Sequence, residues 1–341
     1  MPDNVIDFTS RTARRRRGEK SLASQAIAIP RGADLGRCLD SWTLSLESSH
    51  KAAKTIRSYT DTAKAFIAYL QRNSLPCDAE RVAAEHVRAF LVYERERTSP
   101  ASADTAFRNL RVWFNWLCSE GERTTSSPVL AGDRPKVPRK VRRYLSGDEQ
   151  RRLLATAAGK DFEDRRDAAL IRILGDSGPR RTGLMNVRYT PRTPDTNDVD
   201  LKGRRLRIVL KGGDQHWLPL GAKAAAALDR YLRARSAHRK AQESPWLWLG
   251  VTGRGVAHMT DSGLYQMLQR RAELAGIEGK VTPHMFRGTA AHELLRAGAS
   301  DGDVQQIMGW KTREMVTHYT GELAAERARE THARLSPGDR I

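Results

Sequence analysis

A break at residues 122–143 constrains the fold of this 341-residue chain more than any other feature. It reads ERTTSSPVLAGDRPKVPRKVRR, with three prolines, little apolar content and many cations. Proline fixes φ and removes a backbone donor, so neither a helix nor a central strand runs through such a stretch. Before the break the apolar residues keep only a helical period; after it, helical periods are mixed with a short run of alternation. The chain is long enough for two domains with real cores. The expected fold class is therefore mainly α with a small β-sheet. An N-terminal helical bundle domain would occupy 32–121, a basic linker 122–143, a mixed α/β domain 144–335 and a tail 336–341. Residues 1–31 form a polar lead, expected to be a disordered basic arm because Arg14 to Arg17 are consecutive.

Four helices are expected in the first domain. Leu35, Cys38, Leu39, Trp42 and Leu46 keep helical spacing, as do Ile56, Tyr59, Ala63, Phe66, Ile67 and Leu70, before a stop near Asn73 and Pro76. Val82, Val87, Phe90 and Leu91 mark the third helix. The fourth runs from about Ser102 to Cys118, with Leu110, Trp113, Phe114 and Leu117 as its apolar stripe. Their spacing makes these aromatics core residues, not base-stacking platforms, of a small bundle.

In the second domain Ser146 can cap a helix carrying Leu153 and Leu154, and a helix from about Asp164 carries Leu170, Ile171, Ile173 and Leu174. Leu206 and Ile208 alternate with Arg205 and Arg207, as in a half-buried strand, and a second strand runs through Trp217 to Leu220. The two read as a hairpin with Lys211 at its turn. Helices follow at about 221–238 and 261–275, with the apolar run Pro245 to Leu249 buried between them.

Charge narrows the function. Lys plus Arg number 59 against 40 acidic residues, a net charge of +19, and the pI is about 10.3. That balance favours a polyanion, most simply double-stranded DNA. A mean hydropathy of −0.60 points to a soluble protein with no membrane segment, and the N-terminus lacks the apolar core of a signal peptide. Cys38, Cys77 and Cys118 are scattered, without zinc-ligand spacing, as expected for free thiols in a reducing cytoplasm. His292-Glu293 begins like a zinc-protease motif, but position 296 is Arg, so no metal site is expected.

Residues 282–319 carry the chemistry. Thr282 can cap a helix and Pro283 suits its first position, so His284 and Arg287, three apart, share a face. Gly298 is a plausible end to that helix. Ser300 and Asp303 form the pattern of a capping box for a second helix, which stops at Gly309 and leaves Trp310 at its mouth. A third short helix carries Tyr319 and breaks at Gly321. Arg offers a planar fork of donors that matches phosphate oxygens, His can move a proton, and Tyr can form a covalent intermediate. Together they suggest transfer chemistry on a phosphodiester.

The set Thr282-Pro283-His284-x-x-Arg287, then Met308-Gly309-Trp310, then Tyr319 nine residues later, resembles the C-terminal signature of the tyrosine recombinases, the phage integrase family. Thr55-x-x-x-Tyr59 and Phe114 to Leu117 are similar to that family's core-binding domain. The resemblance implies a first catalytic Arg near Ser177-Gly178-Pro179, with Arg180 preferred and Arg181 second, and a hairpin lysine, Lys211. It also exposes departures: Gly183 stands where the family has a Glu that orients the arginine, Gly288 where relatives often have His, and Trp310 where many have His.

The resemblance implies a clamp around DNA and a tetramer working on paired sites through a four-way junction. Tyr319 would attack the phosphodiester and form a 3′-phosphotyrosyl link. Arg180 and Arg287 would hold the nonbridging oxygens, with His284 on the phosphate and Trp310 as an N–H donor. Lys211 would protonate the leaving 5′-oxygen. No cofactor is implied. Accessory DNA-bending proteins or a partner recombinase would be further partners, and the cytoplasmic nucleoid the location. Two other readings share parts of this chemistry: a type IB topoisomerase, and a catalytically silent DNA-binding regulator.

Overall fold

The structure, a computed structural model, describes residues 33–138, 143–210, 212–238, 241–250, 258–321 and 324–341. The arginine run and Lys211 lie outside the described residues. The chain forms two compact units that divide between positions 139 and 140.

The first unit is a bundle of α1 (Leu35–Ser48), α2 (Ala53–Arg72), α3 (Ala84–Arg97) and α4 (Pro100–Ser119). Asp34 starts α1 by accepting from the amides of Gly36 and Arg37, donors that a helix start leaves without partners. Helix α4 begins two residues earlier than the spacing suggests, because Ser99 caps it and Pro100 takes the first position. Val82 precedes α3 but is still buried. The core is aromatic: Trp42 stacks on Tyr59 at 5.5 Å and on Trp113 at 5.7 Å, and Phe66 meets Phe90 edge-on at 5.1 Å. Fully burying one such ring is worth roughly 1.5–3 kcal/mol.

The residues after α4 are fastened to this bundle. Arg123 is 7% exposed and donates to the carbonyls of Ala79, Val82 and Ser126, and Glu80 accepts from the amides of Thr124 and Thr125. Arg134 pairs with Asp104 of α4 at 2.7 Å. Part of the proline-rich stretch is thus packed, because its arginines find carbonyls and carboxylates that the helices leave at their ends and edges.

The second unit is built on α6 (Phe162–Ser177), which packs most against α8 (Ala222–Ser236) and α10 (Pro283–Arg296). Helix α5 (Gly147–Ala155) opens with a reciprocal cap between Ser146 and Glu149. Helix α6 starts at Phe162, ahead of Asp164, because Asp161 caps it. It stops at Gly178, whose φ of 52° suits glycine. A short α7 (Arg181–Met185) then leads to an antiparallel sheet of β1 (Val199–Asp200), β2 (Arg205–Val209) and β3 (Gln215–Pro219), in the order β1-β2-β3. Arg207 faces Trp217 across the hairpin. Leu206, Ile208 and Leu218 turn inward; Arg205 and Val209 face out.

Helices α9 (Asp261–Leu274), α11 (Asp301–Met308), α12 (Glu314–Thr320) and α13 (Ala324–Leu335) complete the unit. Leu247, Trp248 and Leu249 are fully buried beside α8. Helix α10 ends at Arg296 with Ala297 as its C-terminal cap, and Gly298 follows at a φ of 101°. A small separate core of Ala290, Ala291, Val304, Met308, Trp310, Val316 and Tyr319 joins α10, α11 and α12. Among the described residues no helix is long and apolar enough to cross a membrane.

Candidate active site

The site forms where the end of α6, the start of α10, the turn after α11 and helix α12 meet. The Thr282 hydroxyl accepts from the Met285 amide at 3.3 Å and Pro283 opens α10, so His284 lies in the first turn and Arg287 one turn deeper. Arg287 is 3% exposed. Its two terminal nitrogens donate to the carbonyls of Gly178 and Met308, each at 2.7 Å, and its Nε is buried without a partner. A Cβ at Gly178 would come within 2.9 Å of the Arg287 Cα, so glycine lets α6 end hard against α10.

No carboxylate balances Arg287 among the described residues. Burial pushes its pKa down to about 10, the neighbouring Arg180 guanidinium pushes the same way, and Tyr319 opposes them. The group therefore stays charged at neutral pH, as a buried cation beside a second cation. Such an arrangement is costly unless an anion arrives. Arg180 caps the approach to α7 and lines the same pocket. Arg181, the other candidate, is tied up in an ion pair with Asp261 at 3.1 Å. Among the described residues Arg180 makes no ion pair, in contrast to Arg181.

Tyr319 lies in α12, 7% exposed. Its ring stacks on Trp310 with centroids 4.9 Å apart and planes 16° from parallel, and its hydroxyl is 3.5 Å from His284 Nδ1. The Arg287 guanidinium carbon sits 5.0 Å from the Trp310 ring centre and 6.0 Å from that of Tyr319. The indole N–H of Trp310 is buried without a partner. Trp113 and Trp116 in the bundle share that condition, so an idle indole alone marks no site. In this conformation Trp310 is a stacking wall for the tyrosine.

A pocket of about 460 Å³ opens over these groups, lined by Arg180, His284, Arg287, Tyr319 and also Tyr265 of α9. Neither Tyr265 nor Tyr144, whose hydroxyl donates to the Tyr319 carbonyl at 2.6 Å, stands out in the sequence. Both lie on helical or loop segments far from the signature, and only the fold brings them in. The hairpin root also reaches this region. His216 Nε2 is 3.1 Å from the Ile307 carbonyl, and a Cβ at Gly309 would meet His216 and Leu210 at 3.1–3.2 Å. Asp214, in the hairpin turn, pairs with Lys311 at 2.8 Å. A Cβ at Gly183 would lie 3.2 Å from the Val209 carbonyl, so the glycine lets α7 press against β2. Among the described residues no group of His, Cys, Asp or Glu is arranged to hold a metal.

The phage integrase family model matches residues 143–326, and the model of the phage integrase N-terminal SAM-like domain matches residues 38–121. The chain belongs to the phage integrase family, the tyrosine recombinases. It is therefore an enzyme of a class that cleaves and rejoins DNA. It is 27% identical over 275 residues to the tyrosine recombinase XerD of Listeria innocua, spanning 79% of this chain and 89% of the relative. It is 30% identical over 293 residues to the tyrosine recombinase XerD of Caulobacter vibrioides, spanning 82% and 91%. Among solved structures it is similar in fold to a lambda integrase tetramer bound to a Holliday junction, at 20% identity and a TM-score of 0.66 over 85% of this chain and 78% of that one. These matches favour neither the topoisomerase reading nor the silent regulator.

Proposed function

We propose that this tyrosine recombinase cuts and rejoins DNA at specific sites, with Tyr319 as the nucleophile. The observation that carries the reading is the convergence of Arg180, His284, Arg287 and Tyr319, from three separate stretches of chain, on one cationic pocket. The phenolic oxygen bonds to phosphorus while the bond from phosphorus to the 5′-oxygen breaks. The products are a 3′-phosphotyrosyl link and a 5′-hydroxyl, so no bond energy is lost and the step reverses with a different 5′-hydroxyl. A phenol has a pKa near ~10 and needs help to react at neutral pH. Two guanidiniums supply part of that help, by stabilising negative charge on the phenolate and on the nonbridging oxygens. His284, at the tyrosine hydroxyl, takes up or relays its proton. Lys211, which the sequence pattern assigns to the hairpin turn, protonates the leaving 5′-oxygen.

Tyr319 is stacked and nearly buried, so its ring must leave the Trp310 face to reach a phosphodiester. Trp310 then has its N–H free to turn to a phosphate oxygen. The first unit serves as the core-binding DNA-binding domain over 32–121, and the second, over 144–335, as the catalytic domain. The working assembly is a homotetramer on two DNA sites; the lambda integrase neighbour is a tetramer bound to a Holliday junction. It acts on nucleoid DNA in the cytoplasm, with accessory DNA-bending proteins or a partner recombinase where the site demands them.

The test is a suicide substrate, nicked beside the cleavage site so that the freed strand diffuses away, run on a denaturing gel. The wild-type protein is expected to accumulate a covalent adduct; Tyr319→Phe is expected to bind the DNA and form none. An adduct from the Phe variant would overturn the nucleophile assignment.

A further inference from the structure

The helix that carries Tyr319 is short: α12 has 7 residues, Glu314–Thr320. Helices of that length are not stable by themselves, and their last carbonyls have no partner within the helix. In α12 those carbonyls are met from outside. The Tyr144 hydroxyl donates to the Tyr319 carbonyl at 2.6 Å across 175 positions of sequence, and Arg327 of α13 donates to the Thr320 carbonyl at 3.0 Å. Gly321 closes only one bond, to Thr317.

Tyr144 is itself held in place. The amide of the next residue, Leu145, donates to the buried Thr289 hydroxyl at 2.9 Å. The Tyr144 ring lies against Gly288 of α10, where an added Cβ would approach its Cε1 to 3.2 Å, and tilts over His292 with centroids 5.8 Å apart. A side chain at 288 would therefore require the ring whose hydroxyl grips the Tyr319 backbone to give by a few tenths of an ångström. Gly288 also faces Tyr319 directly, with the built Cβ 3.9 Å from its Cδ1. Thr289 and Gly288 adjoin Arg287, so one turn of α10 fixes the phosphate ligand on one side and the holder of the nucleophile on the other.

We propose that Tyr144 is a positioning residue for the cleavage step: its hydroxyl, admitted by Gly288, fixes the α12 backbone so that Tyr319 is presented at the Arg180–Arg287 pocket. The proposal rests on Tyr319 being the nucleophile. Tyr144 touches neither phosphate nor leaving group, and acts through the carbonyl of residue 319. Losing it leaves DNA contacts intact and loosens the angle at which the phenol meets phosphorus. Small misplacements of a reacting group cost rate steeply.

The experiment uses the full chain and the nicked suicide substrate, with single-turnover adduct formation measured at saturating DNA, DNA affinity measured separately, and melting followed for each variant. Tyr144→Phe keeps the ring and removes the donor. It is expected to slow cleavage about tenfold, the scale of one lost hydrogen bond, with affinity and melting temperature close to wild type. Gly288→Ala keeps the hydroxyl but pushes the ring, and is expected to slow cleavage in the same way. The double variant should be no slower than the worse single one, because both act through one contact. Wild-type cleavage by Tyr144→Phe overturns the proposal. So does a slow variant whose DNA affinity and melting fall in proportion, since that marks plain packing. Tyr319→Phe run alongside separates the two readings: if it forms an adduct, the nucleophile assignment fails; if it is silent while Tyr144→Phe is fully active, only the positioning role fails.

Discussion

Two buried arginines, Arg271 and Arg287, are 6% and 3% exposed, yet they are treated in opposite ways. Arg271 of α9 donates to Asp167 at 2.8 and 2.9 Å and to Asp164 at 2.7 Å. Against the cost of burial, those carboxylates hold its pKa above the ordinary arginine value. Arg287 has carbonyls, ring faces and another arginine for neighbours, and its pKa is pushed down to about 10. A third buried arginine, Arg235, shows that the contrast is not simply presence or absence of a carboxylate. Among the described residues it too lacks one, but its three nitrogens all donate, to the carbonyls of Ala241, Ser244, Trp246 and Leu247. Among the described residues Arg287 alone combines an idle Nε with a second cation beside it. Arg271 is neutralised and Arg235 is bonded at all three nitrogens; Arg287 is left with charge unspent, as its proposed role on a phosphate would require.

The largest expected effect breaks the structural side of this contrast. Asp167 is fully buried and serves Arg166 at 2.7 Å as well as Arg271. Asp167→Asn removes the buried charge that two buried guanidiniums share, leaving Arg271 with Asp164 and Arg166 with Glu163, a loss expected at about 3 kcal/mol. Urea unfolding of the full chain measures it. Below the lowered midpoint the adduct rate should match wild type, because none of these groups faces the pocket. A fall in rate at full folding would place this network inside the catalytic apparatus and dissolve the contrast.

Arg287→Met tests the other side. Removing a donor that acts on transition-state charge is expected to slow cleavage by ~10²-fold or more. Folding should suffer by no more than about 2 kcal/mol, because two carbonyl bonds are lost while an uncompensated buried cation goes with them. The adduct assay and urea unfolding read the two quantities on one preparation. If stability drops as far as in Asp167→Asn while cleavage per folded molecule holds, Arg287 is a structural strut after all.

The sequence carried the helices because burial there follows a simple period. Leu35 to Leu46, Ile56 to Leu70 and the Leu110–Leu117 stripe are each a face turned into the bundle core, and Ser146, Thr282 and Ser300 are caps whose partners lie three residues away. The hairpin was readable for the same reason, through the alternation of Leu206 and Ile208. Strand β1, two residues long, is too short to show any period. The site was half legible. His284, Arg287, Trp310 and Tyr319 stand in a spaced pattern, but what separates Arg180 from Arg181 is Asp261, which sits 80 positions beyond Arg181 and pairs with it, and no local pattern announces that pair. Tyr144 and Tyr265 were not legible, since a tyrosine that reaches a distant carbonyl or pocket has the same local surroundings in sequence as one that does not.

The smallest expected effect concerns a carboxylate partnered by exposed arginines, and it calibrates the buried cases. Asp104 in α4 is 9% exposed and accepts from Arg134 at 2.7 Å and Arg108 at 3.2 Å, but those arginines are 60% and 57% exposed. The Arg134 hydrogen bond, against the cost of burial and with help from the Arg108 charge, holds the Asp104 carboxyl below the usual carboxylate range. Water screens both partners, so Asp104→Asn is expected to cost only ~0.5–1 kcal/mol at neutral pH. The direction with pH is fixed by the sign of the shift. An unfolded aspartate titrates near ~3.9. Above that the folded protein keeps the full contribution; as pH falls through the lower folded value the carboxyl takes up its proton in both states and the contribution disappears. The wild-type and Asp104→Asn proteins should therefore differ at pH 7 and converge in acid, read by hydrogen exchange of the α4 amides in the full chain. A difference that stays constant with pH would mean that Asp104 holds Arg134 as a neutral acceptor does, by geometry alone. Charge would then count for little even in a partly buried pair, and the low pKa of Arg287 would have to be weighed by its missing hydrogen bonds before its missing counter-ion.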